Sequence, residues 1–261
     1  MKYYFEDFIE TNYKGILEKL IQQGYQFIGF DYEIINSGTK FVLWRHDVDH
    51  SLNRAYRLAE IEEEFGIKAT YFIHIQSGFY NVFEPDQYEI LCRIIDKGHT
   101  VGLHFDHGFY TKSRHLIYND EIEKCAIIEK EMLEKYFNIK INAVSFHNPE
   151  ASNVLNLKQG YYAGMVNAYS KIIGDKCKYC SDSNGYWRYD RLLDVIENDY
   201  DRLHILTHPV WWVPYEMSLY ERIKRCTDGR RNSVIKRYCD ILEQSARENI
   251  GYGQENSEVQ Y

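Results

Sequence analysis

Arg45-His46-Asp47-Val48-Asp49 sets two carboxylates one residue apart, directly after the apolar run Phe41-Val42-Leu43-Trp44. The run predicts a buried strand. Side chains alternate along a strand, so Asp47 and Asp49 face the same side at its end. Two carboxylates at one strand mouth repel each other unless a cation or a shared proton relieves them. A metal ion is the simplest relief, with one acid binding it and the other left free as a general base. The plainer reading is a polar turn whose acids cap the next helix. Histidines at the ends of later strands weigh against that reading.

The elements that must position these acids follow from the periodicity. Residues 5–23 are helix-like and end at Gly24. Phe41–Trp44 is the first core strand. A helix over 51–65, capped by Ser51 and stopped near Gly66, precedes the strand Ala69–His74. A helix over 86–96 ends at Gly98 and leads to the strand Thr100–Phe105. A helix over 120–137 leads to the strand Ala143–His147. Short strands are expected at Gly164–Asn167 and Cys177–Ser181, a helix at Tyr189–Glu197, and a last strand at Leu203–Thr207. Residues 216–247 are mostly helical, interrupted around Asp228-Gly229, and Glu248–Tyr261 reads as a frayed tail. No linker or repeat divides the chain, so residues 1–261 read as one domain.

Strand-then-helix order predicts an α/β fold with a parallel sheet, and seven strands in about 170 residues suit a closed or nearly closed barrel. Chemistry in such barrels sits at the C-terminal strand ends. Those ends carry Asp47 and Asp49, then His74 with Gln76, then His104-Phe105-Asp106-His107, then Ser145-Phe146-His147-Asn148-Pro149, then Asp182, then Thr207-His208-Pro209. A lone histidine is ordinarily a satisfied core residue. Several at equivalent strand ends indicate a shared site.

Composition sets the bounds. A net charge of −8 argues against a nucleic-acid surface. The basic residues Lys224, Arg225, Arg230, Arg231, Lys236 and Arg237 lie on a helical stretch with acids nearby and read as a solvated face, as does the run Glu62-Glu63-Glu64. No apolar run reaches the length of a membrane span, and the first residues carry no signal-peptide pattern. The six cysteines show no framework spacing, and Cys177-Lys178-Tyr179-Cys180 lacks a second pair, so a reduced cytoplasmic protein is expected. The 24 tyrosines, like tryptophans, could line a sugar site, where a ring face packs on C–H groups, although most will fill the core.

Residues 40–212 resemble the polysaccharide deacetylases of carbohydrate esterase family 4, the nodulation-type deacetylase domain. His46-Asp47-Val48-Asp49 resembles that family's D-x-D variant, which implies Asp47 as base and Asp49 as metal ligand. Gly98-His99-Thr100-Val101-Gly102-Leu103-His104 resembles the second motif up to its first histidine, so His104 would be a ligand. The motif's second histidine would fall at Gly108. His147 is the preferred replacement, with Asp106 and His107 as alternatives, while His99 precedes its strand. Leu206-Thr207-His208-Pro209 resembles the last motif with one residue inserted, which implies His208 as general acid. Asp182 resembles the aspartate that tunes it, or is a turn residue. R-H-D-V-D, G-L-H and S-F-H-x-P together resemble an intracellular branch linked to surface-polysaccharide biosynthesis.

The resemblance implies a distorted (β/α)7 barrel with parallel strands and an extra N-terminal helix. It implies a hydrolase that removes an N-acetyl or similar acyl group from a sugar or sugar precursor, with one divalent metal ion, zinc by ligand type, held by Asp49, His104 and His147. His74, Asp182, Trp211 and Trp212 would meet the substrate. Two other functions stay open: a metal-dependent hydrolase of non-sugar amides, and a non-catalytic carbohydrate-binding relative.

Overall fold

The computed structural model describes residues 4–36, 38–152 and 154–251; the end of the expected frayed tail, 252–261, lies outside them. A 3-10 turn at Phe5–Phe8 leads into α1 (Glu10–Gln22), which buries Tyr13, Ile16, Leu17 and Leu20 at helical spacing. There follow β1 (Gln26–Ile28), α2 (Tyr32–Ile35), β2 (Phe41–Val48), α3 (Leu52–Glu64), β3 (Thr70–Ile73), α4 (Pro85–Asp96) and β4 (Thr100–Phe105). Next come α5 (Asn119–Phe137), β5 (Ala143–Phe146), β6 (Tyr161–Tyr162), β7 (Met165–Asn167), α6 (Lys171–Lys176), β8 (Lys178–Ser181), α7 (Leu192–Glu197), β9 (Arg202–Thr207) and α8 (Leu219–Gln244).

The strands form one sheet in the order β6-β7-β5-β4-β3-β2-β9-β8, parallel throughout except for β6 against β7. The seven strands expected from the periodicity are the run from β7 to β8. Among the described residues β6 and β8 have no strand on their outer edges, so the sheet curls into a distorted (β/α) barrel that stays open. The long strand β2 is the spine. One edge pairs β1 at Phe41–Leu43 and then β3 at Arg45–Val48, while the other pairs β9 along Phe41–His46.

Alternation sorts the core into two layers. Val42, Trp44 and Val48 of β2 face outward into the helices, with Leu17 and Leu20 of α1 and Leu58 and Ile61 of α3. Phe41 and Leu43 face inward, where Phe72, Ala143, Val166 and Ile173 close the barrel floor. Each fully buried Leu, Ile, Val or Phe among them contributes about 1.5–3 kcal/mol. Continuing on that inward face come Arg45 and Asp47, and the chain then leaves the strand at Asp49. The interior is narrow: a Cβ on Gly102 would stand 2.5 Å from the Phe72 ring, so β4 can pass only as glycine there.

Two expectations are corrected. Glu62 is not on a solvated face; it is fully buried and accepts from Tyr13 Oη (2.6 Å), Trp44 Nε1 (2.9 Å), Tyr71 Oη (2.6 Å) and His46 Nε2 (2.7 Å). Those donors satisfy a carboxylate that burial would otherwise penalise, and His46, with His99 and Tyr13 behind it, holds it below the usual carboxylate range. Helix α8 runs unbroken through Asp228-Gly229. One glycine costs about 1 kcal/mol in a helix. That is too little to break a helix with a Ser218/Glu221 capping box, whose Arg230 and Arg237 are tied to Glu84. No described helix is long and apolar enough to cross a membrane.

Candidate active site

The C-terminal ends of β2, β4, β5, β7, β8 and β9 meet at one cleft of about 860 Å3, whose lining includes Asp47, Asp49, His104, His147, His208 and Trp211. The backbone under the acids is pinned. Ser77 Oγ donates to Asp49 O (2.7 Å), and Tyr80 Oη donates to Val48 O (2.7 Å) while accepting from His74 N (3.1 Å).

Three side chains converge. Asp49 Oδ1 lies 3.0 Å from His104 Nε2 and 3.2 Å from His147 Nδ1, and the two imidazole nitrogens are 3.3 Å apart. Donors on a tetrahedral ion with bonds of about 2.0–2.1 Å stand about 3.3–3.4 Å from one another. The triangle therefore has the size of one face of such a site, and its mixed nitrogen and oxygen donors suit zinc. His74 Nε2 and Nδ1 are buried without hydrogen-bond partners, its ring lies 4.5 Å from that of His147, and Asp49, His74 and His147 offer ligand atoms within 4.8 Å of one another.

His104 has its tautomer set from behind. Its Nδ1 lies 2.9 Å from Ser145 Oγ, and Ser145 Oγ donates to Asp47 Oδ2 at 2.9 Å. A hydroxyl that spends its proton on Asp47 must accept from Nδ1–H, which in the neutral imidazole leaves Nε2 as the bare nitrogen facing Asp49. At His147 the amide of Asn148 meets Nε2 at 2.8 Å. As placed, Asn148 Nδ2 donates to Nε2 and the ring proton sits on Nδ1; turning the amide so that its oxygen accepts from Nε2–H would free Nδ1 for a cation. Asn148 holds this turn with φ of +42°, which asparagine tolerates.

Asp47 is 1% exposed. Arg45 Nη2 reaches its Oδ2 at 3.3 Å and donates to Tyr169 Oη at 2.8 Å. Burial opposes the Arg45 charge, but Asp47 and the surrounding oxygens outweigh it and raise its pKa. Asp47 Oδ1 is buried without a hydrogen-bond partner.

Opposite, His208 Nδ1 lies 2.6 Å from Asp182 Oδ1, and its Nε2 stands 3.7 Å from Asp49 Oδ2. Asp182 also accepts from His208 N (2.9 Å to Oδ2) and from Trp212 Nε1 (3.0 Å). Burial disfavours the imidazolium, yet Asp182, with Asp49 and Asp47 behind it, lifts His208 to about 9. The turn after Asp182 is tight: Gly185 has φ of +72°, and a Cβ there would lie 2.2 Å from Leu219 and 3.0 Å from Trp211. For Asp49, burial works against the charge, but His104, His147 and His208 hold the carboxyl well below its usual range. Burial lowers His74, whereas Asp49 raises His147 against burial.

The structure thus brings Asp47, Asp49, His104, His147, His208 and Asp182 together. His74 adjoins them without a hydrogen bond from its ring. Trp211 lines the cleft, while Trp212 is fully buried behind it, packed on Phe8 and Tyr13 and bonded to Asp182. Asp106 Oδ2 faces His74 Nε2 at 3.7 Å, and His107 is buried outside the cleft lining with its Nδ1 unpartnered. Gly108 sits against Ser152 and Asp106. His99 is a core residue, its Nδ1 accepting from Ala69 N at 3.1 Å. Cys177 and Cys180 belong to opposite faces of the sheet, in the floor and the outer layer. Sequence reasoning passed over Arg45, Ser145 and Tyr169. The first two were within reach, because Arg45 shares the inward face of Asp47 and Ser145 shares that of His147.

No protein-family model and no curated protein matches the sequence. Solved structures do. The chain is similar to the catalytic domain of a peptidoglycan N-acetylglucosamine deacetylase from Eubacterium rectale, at 14% identity and a TM-score of 0.43, over 76% of this chain and 87% of that one. It is similar to a family 4 carbohydrate esterase from Bacillus anthracis, at 15% identity and 0.40, over 89% and 93%. It is also similar to a carbohydrate esterase family 4 pseudoenzyme from Bacillus anthracis, at 18% identity and 0.42, over 75% of this chain and 62% of that one.

Proposed function

We propose that the chain is a metal-dependent deacetylase that hydrolyses the N-acetyl group of a sugar or sugar precursor. The observation that carries this reading is the triangle of Asp49 Oδ1, His104 Nε2 and His147 Nδ1, flanked by Asp47 on one side and the His208–Asp182 pair on the other. Asp49, His104 and His147 would hold the ion, and the chemistry supplied there is Lewis-acid polarisation of the acyl carbonyl and of the attacking water. Asp47 takes the water's proton on Oδ1, the oxygen that no neighbour occupies, while Arg45 and Ser145 fix Oδ2. His208, protonated and held by Asp182, gives its proton to the departing nitrogen as the C–N bond breaks, so acetate and a free amine result. Six unpaired cysteines are in keeping with the cytoplasm as its compartment, where sugar precursors are assembled.

The test is acetate release from N-acetylated sugars and oligosaccharides by the zinc-loaded protein. Asp47→Asn should keep fold and metal and lose turnover. Loaded protein that frees acetate from none of these substrates would reject the reading.

A further inference from the structure

Next to the catalytic cleft lies a second one, of about 500 Å3, and His50, the residue after Asp49, lines both. Arg54 and Arg57 of α3 and Arg222, Arg225 and Arg230 of α8 line it, and no carboxylate among the described residues does. Three carboxylates bond three of these five guanidiniums from outside: Glu10 to Arg54 (2.7 Å) and Arg57 (3.0 Å), Glu60 to Arg57 (3.1 Å), and Glu84 to Arg230. Positive charge is left over on a chain whose net charge is −8.

The surplus has an address. Arg225 is exposed and has no hydrogen-bond or ion-pair partner among the described residues. Arg222 is 1% exposed, and its Nε and Nη1 have no hydrogen-bond partner, only Nη2 donating to Phe5 O at 3.1 Å. Burial, with the like charges of Arg225 and Arg57, holds Arg54 below the ordinary guanidinium value, and burial takes Arg222 down to about 10. Such crowding is unfavourable unless an anion joins it. Guanidinium groups meet phosphate oxygens in bidentate fashion. The solvated-face reading fits Lys224 and Lys236, each paired four residues on with Asp228 and Asp240, and the exposed Arg225, but not Arg230, which is half-buried in the cleft lining and tied to Glu84.

We propose that the arginine cleft is a phosphate subsite that takes the diphosphate of an N-acyl sugar whose acyl group lies over Asp49. This rests on the deacetylase reading for the sugar, but the anion subsite itself does not. A nucleoside or a lipid could carry the diphosphate, and the chemistry met by the arginines is the same.

Calorimetric titration of the full chain with inorganic pyrophosphate tests the subsite without turnover. Binding should weaken with salt, and should fall about tenfold or more in Arg57→Gln/Arg225→Gln. Asp49→Ala should leave it intact. Absent binding, binding unchanged in the double variant, or binding lost in Asp49→Ala, which would put pyrophosphate on the ion, each overturns the subsite. Acetate release is then compared for a nucleoside-diphosphate N-acetyl sugar, a polyprenyl-diphosphate N-acetyl sugar and the uncharged sugar. A lower KM for one diphosphate, lost in the double variant, supports the proposal and names the carrier. Equal KM for all three overturns it. Arginine-dependent pyrophosphate binding without acetate release from any of them would retain the anion site and reject the deacetylase reading.

Discussion

Ser145 Oγ stands 2.9 Å from Asp47 Oδ2 and, on its other side, 2.9 Å from His104 Nδ1. One hydroxyl on β5 thus joins the acid on β2 to the histidine on β4. It orients the carboxylate and decides which imidazole nitrogen stays bare.

Ser145→Ala should therefore weaken metal binding by about 10–100-fold, as loss of a partner behind a ligating histidine does. The ligands themselves are untouched, so bound metal should be recoverable at high concentration. Competition with a chromophoric chelator measures the affinity. An unchanged affinity would mean that His104 holds its tautomer without Ser145.

The ligand set makes a sharper distinction. Asp49→Ala, His104→Ala and His147→Ala should each lose metal, because a site with three protein donors tolerates no vacancy. His107→Ala should retain it, since His107 lies outside the cleft lining. Elemental analysis of the four purified proteins decides. Loss in His107→Ala with retention in His147→Ala would move the third ligand to the loop after β4.

How far the residues foretold this arrangement depends on the kind of signal. The inward face of β2 was legible because strand alternation is strict, and Asp47 follows Phe41, Leu43 and Arg45 on it, with Asp49 just past its end. Strands β1 and β6, with three and two residues, and the short helices α2 and α6 were not legible, because so few residues carry no period. Glu62 was misread because sequence shows three consecutive acids but not the donors around one of them. Those donors come from α1, β2 and β3, brought together only by the fold. The arginine cleft was hidden for the same reason: α3 and α8 are more than a hundred residues apart in the chain.

His208 should show its role through the leaving group. His208→Ala should retain metal and lower amide turnover by about 10²–10⁴-fold. An activated ester, whose leaving group needs little protonation, should lose less. Asp47→Asn acts on the attacking water and should impair both substrates. Equal losses on ester and amide in His208→Ala would remove the acid role and leave His208 as a contact to the reacting oxygen.

A buried acid outside the triangle should mark the pH dependence of stability. Glu129 of α5 is 2% exposed, and its Oε1 accepts from Tyr110 Oη and Gln76 Nε2, both at 2.5 Å, while Oε2 has no partner. Burial outweighs the two hydrogen bonds and raises its pKa from 4.5 to about 7. Between those values the native chain holds a proton that the unfolded chain has released. Stability from this group is therefore full below pH 4.5, falls as pH rises toward 7, and is flat above it. Glu129→Gln keeps an acceptor for Tyr110 and Gln76 but cannot ionise. It should be more stable than the parent at pH 8, by about 2–3 kcal/mol, and gain nothing at pH 4.5. Urea unfolding of both proteins at the two pH values measures the gap. A gap that does not change with pH would show that Glu129 titrates alike in the folded and unfolded chains, and that its environment at Gln76 is wet enough to carry the charge.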